Sequence, residues 1–179
     1  MTGKTKHGIW FHIRKMIQAN MQEVLEISEL SFADSWTLDL LDRRDRVRLV
    51  AILGDQYGEK IVGFLIYQIR KTDLYPLNFA IHPDWRRMGA GTQLITKLIG
   101  QLSYNHRSHI TVEVRETNKI ALQFFKHQQF WATGILRGFY KDPDEDAIEM
   151  EYRRDGIYVP KCSTKPKNRI SQYDQEGIF

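Results

Sequence analysis

Residues 77–92 read Leu-Asn-Phe-Ala-Ile-His-Pro-Asp-Trp-Arg-Arg-Met-Gly-Ala-Gly-Thr, and no other stretch of the chain restricts its architecture as much. An apolar strand meets a proline-bearing turn, then a basic, glycine-bearing loop that opens directly into an amphipathic helix. The first turn of a helix presents backbone N–H groups with no intrahelical acceptor, at the positive end of the macrodipole. Gly89 and Gly91 let an anion approach the main chain where a Cβ would obstruct it. Arg86 and Arg87 add fork-shaped cationic donors. Two familiar phosphate loops are excluded: no lysine follows Gly91, as a Walker loop requires, and position 94 is Leu94, where a dinucleotide fingerprint needs glycine. The loop reads as a cradle for a phosphorylated ligand.

Length bounds what surrounds the loop. At 179 residues the chain holds one domain with a proper core and not two comfortable ones. Its longest apolar runs are a few residues, so no membrane span is expected. His12, Arg14 and Lys15 interrupt any early apolar segment, so no secretory signal is expected either. A single cysteine, Cys162, leaves no internal disulfide and fits a reducing cytoplasm. A net charge of +4 is too small to argue nucleic-acid binding by itself. The six histidines show no metal-ligand spacing, so no metal is expected.

Periodicity supplies the element order. Residues 13–17 read as a strand, and Asn20 as the N-cap of a helix with Met21, Val24, Leu25 and Ser28 on one face, closed by Leu30 and Phe32. Ser35 caps a short second helix through Trp36, Leu38, Leu40 and Leu41. Residues 47–53 and 60–70 form a hairpin around the 54–58 loop, and 74–82 a third strand. Leu94, Ile95, Leu98, Ile99 and Leu102 recur at helical spacing, predicting about four turns after the loop. A strand over 109–115, a helix over 118–128 and strands over 130–136 and 147–152 complete the pattern. The order β-α-α-β-β-β-α-β-α-β-β implies an α/β fold with a mixed sheet and helices on both faces. The domain is expected to span 11–154, with 155–179 as a polar, basic tail.

Three segments resemble the GNAT family of acetyl-CoA-dependent N-acetyltransferases over roughly residues 11–154, and within it the RimI type, bacterial enzymes that acetylate the α-amine of a ribosomal protein. Ala80-Ile81-His82-Pro83-Asp84-Trp85-Arg86-Arg87-Met88-Gly89-Ala90-Gly91 resembles the cofactor loop. Val112-Glu113-Val114-Arg115-Glu116-Thr117-Asn118 resembles the family's Leu-Glu-Val-Arg-x-x-Asn. Asp144-Glu145-Asp146-Ala147-Ile148-Glu149-Met150 resembles its Glu-Asp-Ala-x-x-Met end.

The resemblance implies transfer of acetyl from acetyl-CoA to a primary amine by direct attack. The acceptor would be a protein or peptide N-terminus, a ribosomal protein among the candidates. It implies that the backbone of Phe79, Ala80 and Ile81 pairs with the pantetheine arm and that Arg86, Arg87, Met88, Gly89, Ala90, Gly91 and Thr92 hold the diphosphate. Asn118 matches an asparagine that contacts the cofactor. Glu113 matches the general base, a carboxylate that would take a proton through water; from the residues alone it is equally a paired strand residue. Where RimI carries a proton-donating tyrosine, this chain has Phe125, which keeps the packing surface and cannot donate. CoA thiolate is a tolerable leaving group at a thiol pKa near ~8.5, so the reaction runs without an acid, or Tyr140 substitutes for it; Tyr140 also reads as a wall of the acceptor cleft. Phe32 and Trp36 fall in the segment that walls that cleft. Other readings stay open: a small-molecule amine as acceptor, a non-catalytic acyl-CoA-binding module, and an RNA-docking protein that uses the basic tail.

Overall fold

The computed structural model describes residues 11–32, 43, 45–55, 58–102 and 107–154. The second expected helix, with Trp36, and the 155–179 tail lie outside the described residues. Within the described residues the order is strand, helix, three strands, helix, strand, helix, two strands, a mixed α/β arrangement. The chain divides into two packed units, Met1–Arg70 with Leu74–Gln101 and Lys71–Asp73 with Leu102–Phe179.

The first unit is built on four strands, β1 (Phe11–Lys15), β2 (Arg46–Asp55), β3 (Gly58–Ile69) and β4 (Asp73–Ile81), neighbouring one another in that order and antiparallel throughout. Helix α1 (Met21–Glu29) lies on one face. Its Met21, Val24 and Ile27 pack with Val50, Ile52, Ile61, Phe64, Ile66 and Ala80. Helix α2 (Ala90–Ile99) packs on β1, β2 and β3 and buries Leu94, Ile95 and Leu98. Each such side chain withdrawn from water contributes about 2 kcal/mol.

Three local expectations are corrected here. β1 starts and ends two residues earlier than the 13–17 expected, because the Asn20 side-chain oxygen takes the Ile17 N–H at 3.1 Å and ends the strand's run. That oxygen also accepts from Arg14 at 2.8 Å, so Asn20 precedes α1 without capping it by its side chain. Helix α2 has ten residues, under three turns; Gly100 ends it although Leu102 continues the apolar spacing.

The second unit carries β5 (His109–Arg115), helix α3 (Lys119–His127), β6 (Trp131–Lys141) and β7 (Asp144–Arg153). β7 lies between β5 and β6, antiparallel to both. Ile110, Val112 and Val114 are buried on one face of β5, as their alternation predicts. β6 and β7 run well past the expected 130–136 and 147–152. β6 holds extra residues at two bulges, between Ala132 and Gly134 and between Leu136 and Tyr140, which break the period-two pattern that marks a strand in sequence.

Candidate active site

In the first unit, the strand that leads into the glycine loop is not a regular ladder. Asn78 pairs with Ile66 but Pro76 with Tyr67, so Leu77 is an extra residue and β4 bulges there. A proline cannot donate to a ladder, and a bulge is one of the few places within a sheet that tolerates it. Pro76 was therefore a legible signal of this bulge. Beyond it, Phe79, Ala80 and Ile81 pair with Leu65, Phe64 and Gly63. Gly63 allows the approach: a Cβ there would stand 2.4 Å from Ile81 Cδ1 and 2.9 Å from the Ala80 carbonyl oxygen. His82 prolongs the pairing by donating its N–H to Val62 O at 2.9 Å.

After Ile81 the chain makes a short 3-10 turn, Pro83–Trp85, in which His82 Nδ1 accepts from the Asp84 N–H at 3.3 Å. Arg86 turns back on its own unit, donating to Ile81 O at 3.0 Å and to Ser31 Oγ at 3.4 Å. It braces the loop, a role the sequence did not assign beside its expected anion contact. Arg87 is exposed with φ 65°, and Met88 and Gly89 are half-buried. Gly89, at φ 96° and ψ −2°, occupies the position just before α2 in a left-handed conformation that other residues adopt at a cost. The first helical bond runs from the Gln93 N–H to Gly89 O at 3.1 Å. The helix start is thus formed by Gly89, Ala90, Gly91 and Thr92, and its dipole favours an anion there. Phe32, at the end of the segment after α1, is 36% exposed.

The second unit gathers the other candidates. Glu113 is half-buried on β5, across from Glu149 on β7, and it shares a face with Thr111 and Arg115. Thr133, the extra residue of the first β6 bulge, donates its hydroxyl to Glu149 Oε1 at 2.8 Å. The Tyr140 hydroxyl donates to the Glu113 main-chain oxygen at 3.1 Å, so two residues that the sequence nominated separately do meet. Burial pushes the Tyr140 phenol above 10; Arg115 opposes that shift, and Glu113 and Glu145 add to it. Asn118 is the N-cap of α3, its side-chain oxygen accepting from the Ala121 N–H at 3.1 Å. Phe125 is 5% exposed, edge-on to Phe124 and Phe130 at 5.3 and 5.1 Å between ring centroids. It is thus a member of an aromatic cluster, where the family's tyrosine would bring a hydroxyl.

The acidic segment 144–146 acts as a brace. Glu145 accepts from the Thr117 N–H at 2.7 Å and from Arg115 at 3.2 Å. Burial alone would raise its carboxyl; the Thr117 and Arg115 bonds outweigh that and hold it below 4.5. Asp146 accepts from the Gly138 N–H at 2.9 Å and pairs with Arg137, fixing the second β6 bulge from which Tyr140 emerges. Sequence reading placed Arg115 and Glu145 in motifs without assigning them this brace, and did not single out Gly63; their partners are distant in the chain. Among the described residues, no three His, Cys, Asp or Glu side chains are grouped to hold a metal, and no helix is long and apolar enough to cross a membrane.

A glycine-turned loop feeding a helix start, after a bulged strand, and the motifs around Glu113 and Glu145 fall within a known pattern. The acetyltransferase (GNAT) family model matches residues 13–130, and the chain belongs to that family. Among individual relatives, the ribosomal protein bS18-alanine N-acetyltransferase of Escherichia coli (strain K12) is 32% identical over 93 residues, covering 51% of this chain and 63% of that protein. The match thus spans less than two thirds of that relative's length. The enzyme of the same name from Haemophilus ducreyi is 25% identical over 143 residues, covering 77% of this chain and 97% of that protein. Arabidopsis thaliana NAA60, solved in complex with acetyl-CoA, shares the fold with a TM-score of 0.71 at 17% identity, over 81% of this chain and 99% of that one.

Proposed function

We propose that this chain transfers the acetyl group of acetyl-CoA to the N-terminal α-amine of a protein or peptide, by direct attack in a ternary complex. The observation that carries the reading is the left-handed Gly89 at the start of α2, which turns the chain so that a helix N-terminus follows a bulged strand. Membership of the acetyltransferase family supports the cosubstrate. The names of the bacterial relatives support the acceptor class, with a ribosomal protein N-terminus as the first candidate; such an acceptor would make the cytoplasm the setting.

On this reading, the amides and side chains of residues 86–92 hold the diphosphate, and the main chain of Phe79, Ala80 and Ile81 pairs with the pantetheine amides. Asn118 and Phe125 keep the cofactor-side roles that the family resemblance implies. The acceptor arrives as an ammonium, with Phe32 as the described residue proposed to contact it. Glu113 takes one proton from it through water, leaving a neutral amine. The amine nitrogen attacks the thioester carbon, and the carbonyl oxygen becomes an oxyanion held by N–H donors of the bulged strand. The C–S bond then breaks, thiolate leaves, and the nitrogen passes its second proton to water as the amide forms. A thiolate needs little help in leaving. Tyr140, a phenol held above 10 and already donating to Glu113 O, is a poor proton source for it. We assign Tyr140 to the acceptor side, ordering the strand that carries the base.

Two measurements test this. Calorimetric titration with acetyl-CoA should give saturable heat, and none at millimolar ligand would end the reading. Thiol release should then be followed with alanine-initiated peptides alongside polyamines and aminoglycosides. Turnover on peptides is expected. Turnover confined to the small amines would transfer the activity to that acceptor class, and binding without turnover on any amine would leave an acyl-CoA-binding module.

A further inference from the structure

Within the second unit, the bonds converge on a side chain that has no part in the chemistry above. Arg115 Nη1 donates to Glu145 Oε2 at 3.2 Å and to Pro143 O at 3.3 Å, and Nη2 donates to Asp142 O at 2.9 Å. The guanidinium carbon lies 4.0 Å from the centroid of the Tyr140 ring. The Arg115 carbonyl oxygen accepts from the Asn118 N–H at 2.9 Å. Through Glu145 the same guanidinium is joined to the Thr117 N–H. One residue therefore links the end of β5, the turn between β6 and β7, the entry to α3 and the face of Tyr140.

We propose that Arg115 is a positioning residue for acetyl transfer: it clamps the Tyr140 ring over the main chain of Glu113 and fixes the 142–145 turn, so that base strand and tyrosine form one rigid piece. The catalytic part of this inference rests on the transfer reaction proposed above; the clamp itself does not. The geometry requires arginine. Three acceptors and a ring face are served at once by a planar fork with five N–H groups. A lysine ammonium is a point charge with three donors on a flexible stem, able to reach one or two of these partners. Proximity effects make such bracing matter, because a displacement of about 1 Å at a reacting group costs on the order of 100-fold in rate.

The test uses the full chain as wild type, Arg115→Lys, Arg115→Met, Tyr140→Phe and the Arg115→Met/Tyr140→Phe double variant. With the best peptide acceptor, Arg115→Met should lower kcat about 100-fold while KM for acetyl-CoA stays at the wild-type value, and Arg115→Lys should recover only part of the loss. In the Tyr140→Phe background, which keeps the ring and removes the hydroxyl bond to Glu113 O, the Arg115→Met effect should shrink, since the clamp acts through that bond. An ultraviolet pH titration, referenced to Tyr140→Phe, reads the clamp without any turnover. The charged groups around that phenol are Arg115, Glu113 and Glu145. Loss of the Arg115 cation should shift the Tyr140 transition to still higher pH. Wild-type kcat in Arg115→Met, strictly additive effects in the double variant, or an unmoved tyrosine transition would each overturn the clamp. If Arg115→Met does not fold, Arg115→Gln, which also lacks the cation, carries the same readouts. If wild type turns over no amine, the transfer reading has failed, and the tyrosine titration still decides the clamp.

Discussion

Glu113 is half-buried on β5 with Arg115 two residues on, a tyrosine hydroxyl on its main-chain oxygen and Glu149 opposite. A carboxylate so placed can take a proton only while it is ionised, so as general base it should impose an acid limb on the rate. Glu113→Gln keeps size and hydrogen bonding and removes the base. Its kcat with the best acceptor should fall by roughly 10²–10⁴, and the acid limb of the kcat–pH profile should move up to that of the acceptor's own α-amine, near pH ~8. Calorimetric affinity for acetyl-CoA should stay unchanged, because on the proposed reading residues 86–92 hold the diphosphate. A variant that keeps both its rate and its acid limb would assign Glu113 to structure alone.

The elements owe their ends to particular bonds, and the close of α3 shows how the aromatic cluster is held. Gln128 N–H donates to Phe124 O at 3.1 Å, Gln129 N–H to Lys126 O at 2.9 Å and Phe130 N–H to Phe125 O at 3.0 Å. The bond reaching back from Phe130 to Phe125 is that of a Schellman end, with the two rings in contact as its apolar partner. Gln129 has φ 66°, in the conformation that glycine usually supplies at this position. Gln129→Gly should relieve about 1 kcal/mol of strain and raise Tm by ~2–4 °C in differential scanning calorimetry. A lowered Tm would mean that the glutamine side chain contributes more than its backbone costs. Legibility at this scale was uneven for a physical reason. Periodicity located β5 and α3 closely, because each is uninterrupted. It misjudged β6 and the length of α2, where bulges and Gly100 act on the backbone and leave no trace in a count of apolar positions.

At the scale of the whole molecule, stability against acid has an identifiable contributor. Glu145 has a folded pKa below its ordinary 4.5, burial being outweighed by the bonds from Thr117 and Arg115. A depressed folded pKa means that its contribution is complete above about pH 4.5 and is lost as pH falls through the folded value. Glu145→Gln should therefore cost roughly 2 kcal/mol at pH 7 in urea unfolding, with the difference from wild type narrowing toward pH 3. A constant gap across pH would show that the charge is irrelevant. The three motifs that carried the family resemblance were legible because each is contiguous. The contacts that assemble them were not: Arg115 and Glu145 stand 30 positions apart, and no single segment contains both.

Gly63 gives this last point a practical edge. On the proposed reading, cofactor amides pair with the main chain of β4, yet the placement of that main chain is permitted by a missing side chain on the neighbouring strand, 2.9 Å from the Ala80 oxygen. Saturation mutagenesis should then reveal an intolerant site that touches no ligand atom, and directed evolution of this scaffold toward bulkier acyl donors would do well to leave codon 63 alone.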